Sequence, residues 1–119
     1  MNKDRLVIYH NPNCSKSRET LKILEDHRLK PEVVNYLEEP LSRQELASII
    51  EMLGIPVREL MRDTETAYHD AGLDDDSLND DELLNAICEY PVLMQRPVVI
   101  SGDRAVLGRP PARVLEIIA

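Results

Sequence analysis

Leu6-Val7-Ile8-Tyr9-His10-Asn11-Pro12-Asn13-Cys14-Ser15-Lys16-Ser17-Arg18 sets a cysteine between an apolar strand and the start of a helix. Arg5 to Tyr9 is short, apolar and β-favouring, Asn11-Pro12-Asn13 is turn chemistry, and Ser15 to Leu24 reads as a helix opening. A helix N-terminus presents unpaired N–H groups and the positive end of the dipole, so it favours an anionic sulfur and a bound oxyanion alike. Cys14 is therefore read as a nucleophile with an anion seat beside it. A small buried hydrophobe is the other role open to a lone cysteine, but a turn flanked by Asn, Ser and Lys makes a poor apolar pocket.

Outward from this stretch, Leu21, Ile23 and Leu24 interleave with Glu19, Lys22 and Glu25 as an amphipathic helix ending near Leu29-Lys30-Pro31. Glu32 to Tyr36 is a second strand, so the first third is a strand-helix-strand unit with a parallel pair. Ser42-Arg43-Gln44-Glu45 is a capping box ahead of Leu46, Ile49, Ile50 and Leu53, and Gly54 ends that helix. Short helices are expected over Val57 to Arg62 and Thr64 to Ala71, and another turn over Pro91 to Gln95. The acidic run Asp74 to Glu82 reads as solvated charge at a helix start, because the glycine and spacing of a calcium loop are absent. Val98 to Ser101 and Arg104 to Leu107 flank Gly102-Asp103 as an antiparallel hairpin, and Gly108-Arg109-Pro110-Pro111 leads to a last helix. The expected fold is α/β: a β-α-β plus β-β-α arrangement around a four-stranded mixed sheet. The chain is expected to be one domain over 1–119, with a helical insertion at about 41–95.

With 119 residues and no Trp or Phe, the core is expected to be aliphatic. A formal net charge of −8 argues against nucleic acid or an anionic membrane as a general partner, so any anion must be caught by a local cluster. No apolar run approaches a membrane span, and Met1 to Arg5 lead towards a strand with no leader-type apolar segment, so a cytoplasmic location is expected. Cys14 and Cys88 are too few for a disulfide scaffold and lack metal-ligand spacing. Cys88 shares a helical spacing with Leu84 and Ile87, which points to packing.

A free thiol with pKa near 8.5 is only about 3% ionised at neutral pH, so activation needs a cause. The helix terminus is one, and the loop supplies His10, Lys16 and Arg18 as nearby basic groups; His10, four residues before Cys14, is read as assisting its deprotonation, with a plain strand-end histidine as the alternative. A loop that wraps an oxyanion by itself closes on an arginine six residues after the cysteine, and that position is Thr20. The residue three after Cys14 is Ser17, so the dithiol motif is absent and a mixed adduct on Cys14 is expected to be resolved by a thiol of another molecule, with Cys88 the other candidate. Charge for an anion has to arrive from elsewhere. Arg96 and Arg109 lie beside prolines at strand ends, where ligands gather over an open α/β sheet. Arg58 and Arg62, four apart, are further candidates on one helical face.

Tyr9-His10-Asn11-Pro12 with Cys14 and Ser17-Arg18, Tyr36-Leu37-Glu38, Val57 to Arg62, Arg96-Pro97-Val98-Val99 and Gly108-Arg109-Pro110 together resemble the glutaredoxin-dependent arsenate reductase family, in order and over nearly the whole chain. The resemblance implies a thioredoxin-like fold, a cysteine that attacks arsenate, and glutathione with glutaredoxin as reductants. No bound cofactor or metal is implied. It makes Cys14 the nucleophile, His10 and Ser17 its supporters, and Arg62, Arg96 and Arg109 the oxyanion clamp, and it implies a cis bond before Pro97. Ser15-Lys16 in place of Gly-Thr, and an end at Ala119, resemble the shorter chromosomal branch. Gly108 stands where a cysteine would offer an auxiliary thiol. Two other functions fit the same superfamily. One is a glutathione-linked monothiol oxidoreductase without arsenic chemistry. The other is a regulator docking on RNA polymerase, although such regulators carry a Cys-x-x-Cys switch that Ser17 removes.

Overall fold

A computed structural model of the chain describes residues 5–118; Met1 to Asp4, on which the absence of a leader was read, lie outside the described residues. The chain forms two compact units, one of residues up to Glu39 together with Arg96 onward, the other Pro40–Gln95.

The first unit is built on β1 (Leu6–His10), α1 (Ser15–Asp26), β2 (Glu32–Asn35), β3 (Val98–Ser101) and β4 (Arg104–Leu107). The strands form one mixed sheet in the order β2-β1-β3-β4. β1 runs parallel to β2 with Tyr9 opposite Val34, and antiparallel to β3 with Tyr9 opposite Val98. Gly102 (φ 63°) turns the hairpin from β3 to β4 in the left-handed region, where a side chain would be strained. This is the expected thioredoxin-like β-α-β plus β-β-α arrangement. Its core contains the expected aliphatic cluster, in which Ile8, Leu24, Val99, Val106, Val114 and Ile117 pack together, and Tyr9 and Tyr36 are buried as well. Each such aliphatic side chain contributes about 1.5–3 kcal/mol on full burial.

Two helix ends differ from expectation. α1 stops at Asp26 because Arg28 takes a left-handed φ of 60° and Leu29 N–H donates back to Leu24 O at 3.1 Å, closing the helix before Leu29. The last helix is split into a 3-10 turn, Pro111–Val114, and a short α5 (Leu115–Ile118). Val114 and Ile117 are buried while Leu115 is exposed. The peptide bonds before Pro97 and Pro110 are both cis.

The second unit contains α2 (Arg43–Leu53), α3 (Thr66–Asp70) and α4 (Asp80–Glu89), with 3-10 turns at Val57–Leu60 and Pro91–Leu93. The capping box of α2 forms as read, with Ser42 and Glu45 exchanging hydrogen bonds, and Gly54 ends the helix at φ 66°. The acidic run leads into a second box, Asn79 with Glu82, that starts α4 with Asp80, Asp81 and Glu82 in its first turn. The helix expected over Val57 to Arg62 ends at Leu60. Met61 bridges to Met94, and Arg62 N–H donates to Leu93 O at 2.6 Å, so inter-segment bonding replaces the last helical turn. Arg58 and Arg62 therefore do not share a helical face. The helix expected over Thr64 to Ala71 is likewise confined to Thr66–Asp70.

Candidate active site

In the first unit the loop after β1 is held by its own asparagine. Asn11 Oδ1 accepts Asn13 N–H at 2.9 Å and Asn11 O accepts Cys14 N–H at 3.0 Å. This Asx turn delivers Cys14 to the N-cap of α1 in extended backbone geometry (φ −103°, ψ 123°). The first turn of α1 contains no acidic residue, so nothing there opposes an anion at its positive end.

The Cys14 thiol is half-buried and free. Burial alone pushes its pKa up, but the Ser17 backbone N–H, a hydrogen bond from the Arg96 side chain, the Lys16 backbone N–H and the Arg96 charge outweigh it, and the thiol lies below its ordinary range. No full side-chain hydrogen bond caps α1 from this position, so the two amides act on the sulfur at longer range. Cys14 has a helix terminus and a guanidinium, the two features that make a thiolate persist near neutral pH.

His10, at the end of β1, is 7% exposed, and its Nδ1 lies 2.5 Å from Ser17 Oγ. Ser17 is fully buried and also accepts Asn11 N–H at 3.0 Å. Burial first, and the Arg18 charge second, hold the His10 pKa below the ordinary histidine value, so the ring is neutral at pH 7. Arg18 is itself tied to the loop, donating from Nη1 to Pro12 O at 2.8 Å.

Arg96 arrives at the other side of the sheet's central pair, just before β3. Two hydrogen bonds stitch the end of β4 to it: Gly108 N–H to Pro97 O at 2.9 Å and Arg109 Nη1 to Arg96 O at 3.0 Å. Gly108 is required to be small, because a Cβ there would meet Thr20 Oγ1 at 2.5 Å and Pro97 Cγ at 2.8 Å. Thr20, buried and donating to Lys16 O at 2.8 Å, is thus a wall between α1 and the Pro97 turn.

The first unit therefore brings Cys14, His10, Ser17, Arg96 and Arg109 into one neighbourhood. Asn11 and Thr20 belong to it and were missed as contributors; the Asn-Pro-Asn turn signal pointed to the first, while the second had no local signal. Arg62 belongs to the second unit. There its Nε donates to Glu65 Oε1 at 3.1 Å, both side chains being mostly buried. Arg58 is committed to structure instead of a cleft: Nη1 donates to Tyr68 OH and Leu73 O, each at 2.7 Å, and Nη2 to Asp75 O at 2.5 Å. Among the described residues no group of three or more His, Cys, Asp or Glu is placed to hold a metal ion, and no helix is long and apolar enough to cross a membrane.

The sequence model of the ArsC family matches residues 9–117. The chain is 47% identical over 115 residues to an uncharacterized protein, YfgD, of Escherichia coli K12, covering 96% of this chain and 97% of that one. It is 48% identical over 114 residues to an arsenate reductase of Haemophilus influenzae, covering 95% and 98%. Among solved structures it is similar to an arsenate reductase from Vibrio cholerae, with a TM-score of 0.94 and 46% identity over 97% of this chain and 98% of that one.

Proposed function

The chain belongs to the ArsC family, and from that premise we propose that it is an arsenate reductase, an oxidoreductase whose nucleophile is Cys14. The observation that carries this reading is a free, half-buried thiol at a helix N-terminus, held below its ordinary pKa despite burial by two backbone amides and the Arg96 guanidinium. Groups that favour a thiolate also favour an oxyanion approaching it.

In the proposed sequence the Cys14 thiolate attacks As(V), and one arsenic–oxygen bond breaks as hydroxide or water leaves. Glutathione displaces a second oxygen and gives an arsenic centre bonded to two sulfurs. A glutaredoxin thiolate then attacks the glutathione sulfur. The new glutaredoxin–glutathione disulfide carries away two electrons' worth of oxidation, the arsenic–sulfur pair returns to arsenic, and As(III) remains on Cys14 until water releases arsenite. External thiols are needed because Ser17 occupies the place of a local resolving cysteine. Arg62, Arg96 and Arg109 are assigned to the oxyanion's charge, and His10 and Ser17 to the support of Cys14. We assign the protein to the cytoplasm, where free thiols are kept reduced. The whole chain is assigned as one domain with a helical insertion at about 41–95.

The test is arsenate-dependent NADPH oxidation by the purified protein coupled to glutathione, glutathione reductase and glutaredoxin. Turnover that requires both arsenate and Cys14 is expected. Turnover of a small disulfide with none of arsenate would replace this reading with a monothiol oxidoreductase.

A further inference from the structure

The Ser17 hydroxyl is fully buried in the first turn of α1, and among the described residues its hydrogen-bonding neighbours are two: Asn11 N–H at 3.0 Å and His10 Nδ1 at 2.5 Å. A hydroxyl has one proton to give and two lone pairs to offer. The Asn11 amide is a donor only, so it takes a lone pair. The hydroxyl proton then has one acceptor within reach, His10 Nδ1, which accepts only when it bears no proton itself. In the reverse arrangement Nδ1–H would donate into Ser17 Oγ. The oxygen would receive two donors and its own O–H, sealed from water, would have nowhere to go, which is the costly way to bury a polar group.

We infer that Ser17 donates its proton to His10 Nδ1 and so fixes the imidazole as the neutral Nε2–H tautomer, which makes His10 a hydrogen-bond donor and not the base that receives the Cys14 proton. Both ring nitrogens are then committed, Nδ1 to the serine proton and Nε2 to its own. A second proton on the ring would have to displace the serine proton from Nδ1, in a buried position and against the charge of Arg18, which is held near by Pro12 O. The thiol proton of Cys14 therefore passes to water, to which the half-buried sulfur has access. Ser17 becomes a positioning residue that acts through His10. The inference deepens the proposed function and rests on Cys14 being the nucleophile, though on no particular electrophile.

Long-range proton–nitrogen NMR of the 15N-labelled full chain at pH 7 reads the tautomer directly. His10 should show an unprotonated, pyridine-type Nδ1 and a protonated, pyrrole-type Nε2. A protonated Nδ1, alone or in an imidazolium, overturns the inference without any variant. Ser17→Thr keeps the hydroxyl and should keep the pattern. Ser17→Ala should give a tautomer mixture or a raised His10 titration midpoint, and an unchanged spectrum and midpoint would show that Ser17 is not the cause. The pH profile of Cys14 alkylation should follow one ionisation in the parent; a second inflection that vanishes in His10→Gln would mark His10 as the base and overturn the proposal. None of these measurements uses arsenate, so a failure of arsenate turnover leaves them standing, and a wrong tautomer in a protein that turns over arsenate removes this inference alone.

Discussion

The loop ahead of α1 and the last turn of α4 each hold a free, half-buried cysteine, and the two thiols are driven in opposite directions. Burial raises both. At Cys14 the burial effect is overcome by the Ser17 and Lys16 amides and by Arg96, while at Cys88 it prevails over the one charge acting on it, that of Arg43. Arg43 is already engaged with Asp81 and Asn85, so little of its charge is left for the sulfur. The helix ends add to the contrast. Cys14 faces unpaired N–H groups, whereas Cys88 sits one residue before the end of α4, where unpaired carbonyls oppose an anion. Exposure is alike at the two sites, so what separates the proposed nucleophile from the other thiol is the sign of the partial charges around the sulfur.

The strongest challenge to that contrast is exchange of each sulfur for oxygen. Cys14→Ser should abolish arsenate turnover and Cys88→Ser should leave most of it, with both proteins folded by circular dichroism; comparable losses would mean an internal dithiol pathway. Next in size is Arg96→Ala. Removing a charge-stabilising donor costs about 10²–10³ in turnover, and because Arg96 also lowers the Cys14 pKa, the midpoint of Cys14 alkylation should rise as well. Arg109→Ala should move that midpoint less, since the Arg109 guanidinium donates to the backbone carbonyl oxygen of Arg96 and not to its side chain. An Arg96→Ala protein with an unshifted midpoint would place the cause in the helix terminus alone.

A third comparison uses pH. For an acid, a lowered pKa means that the anion appears earlier as pH rises. Cys14 should therefore label with iodoacetamide from below the ordinary thiol range, and Cys88 only above it, with peptide mapping to tell them apart. Labelling in the reverse order would invert the reading of the two sites. The smallest effects belong to the scaffold of the second unit. Arg58→Ala leaves three acceptors without their donor and should lower stability by about 2–3 kcal/mol. The capping change Asn79→Ala should cost about 1 kcal/mol. Neither should shift the Cys14 alkylation midpoint, and a shift would show that Arg58 does more than hold Tyr68, Leu73 and Asp75.

Much of the architecture was legible because its signals are local. Ser42 with Glu45, Gly54 at its left-handed turn, the Gly102-Asp103 hairpin and the short apolar, β-favouring runs of β1 and β3 each involve residues within a few positions of one another. Where local pattern misled, a non-local bond had replaced it. Val57 to Arg62 has the look of a helix, but Arg62 N–H is drawn to Leu93 O and Met61 to Met94, and the helical turn is lost with them.

By itself, the sequence determined that a cysteine would stand between a strand and a helix, that no second thiol would follow it within a turn, and that an acidic chain would need local cations for any anion. Helix polarity and turn chemistry suffice for those statements, because both act over one or two turns of backbone. Only the tertiary structure decided which cation meets the sulfur, since Arg96 reaches Cys14 through the pairing of β3 against β1. It also decided that Arg58 is spent on Tyr68, Leu73 and Asp75, that Thr20 closes on Gly108, and that the Ser17 hydroxyl meets the His10 ring out of water. Each of these depends on which segments become neighbours, and side-chain reach of a few ångströms gives that choice no trace in local pattern.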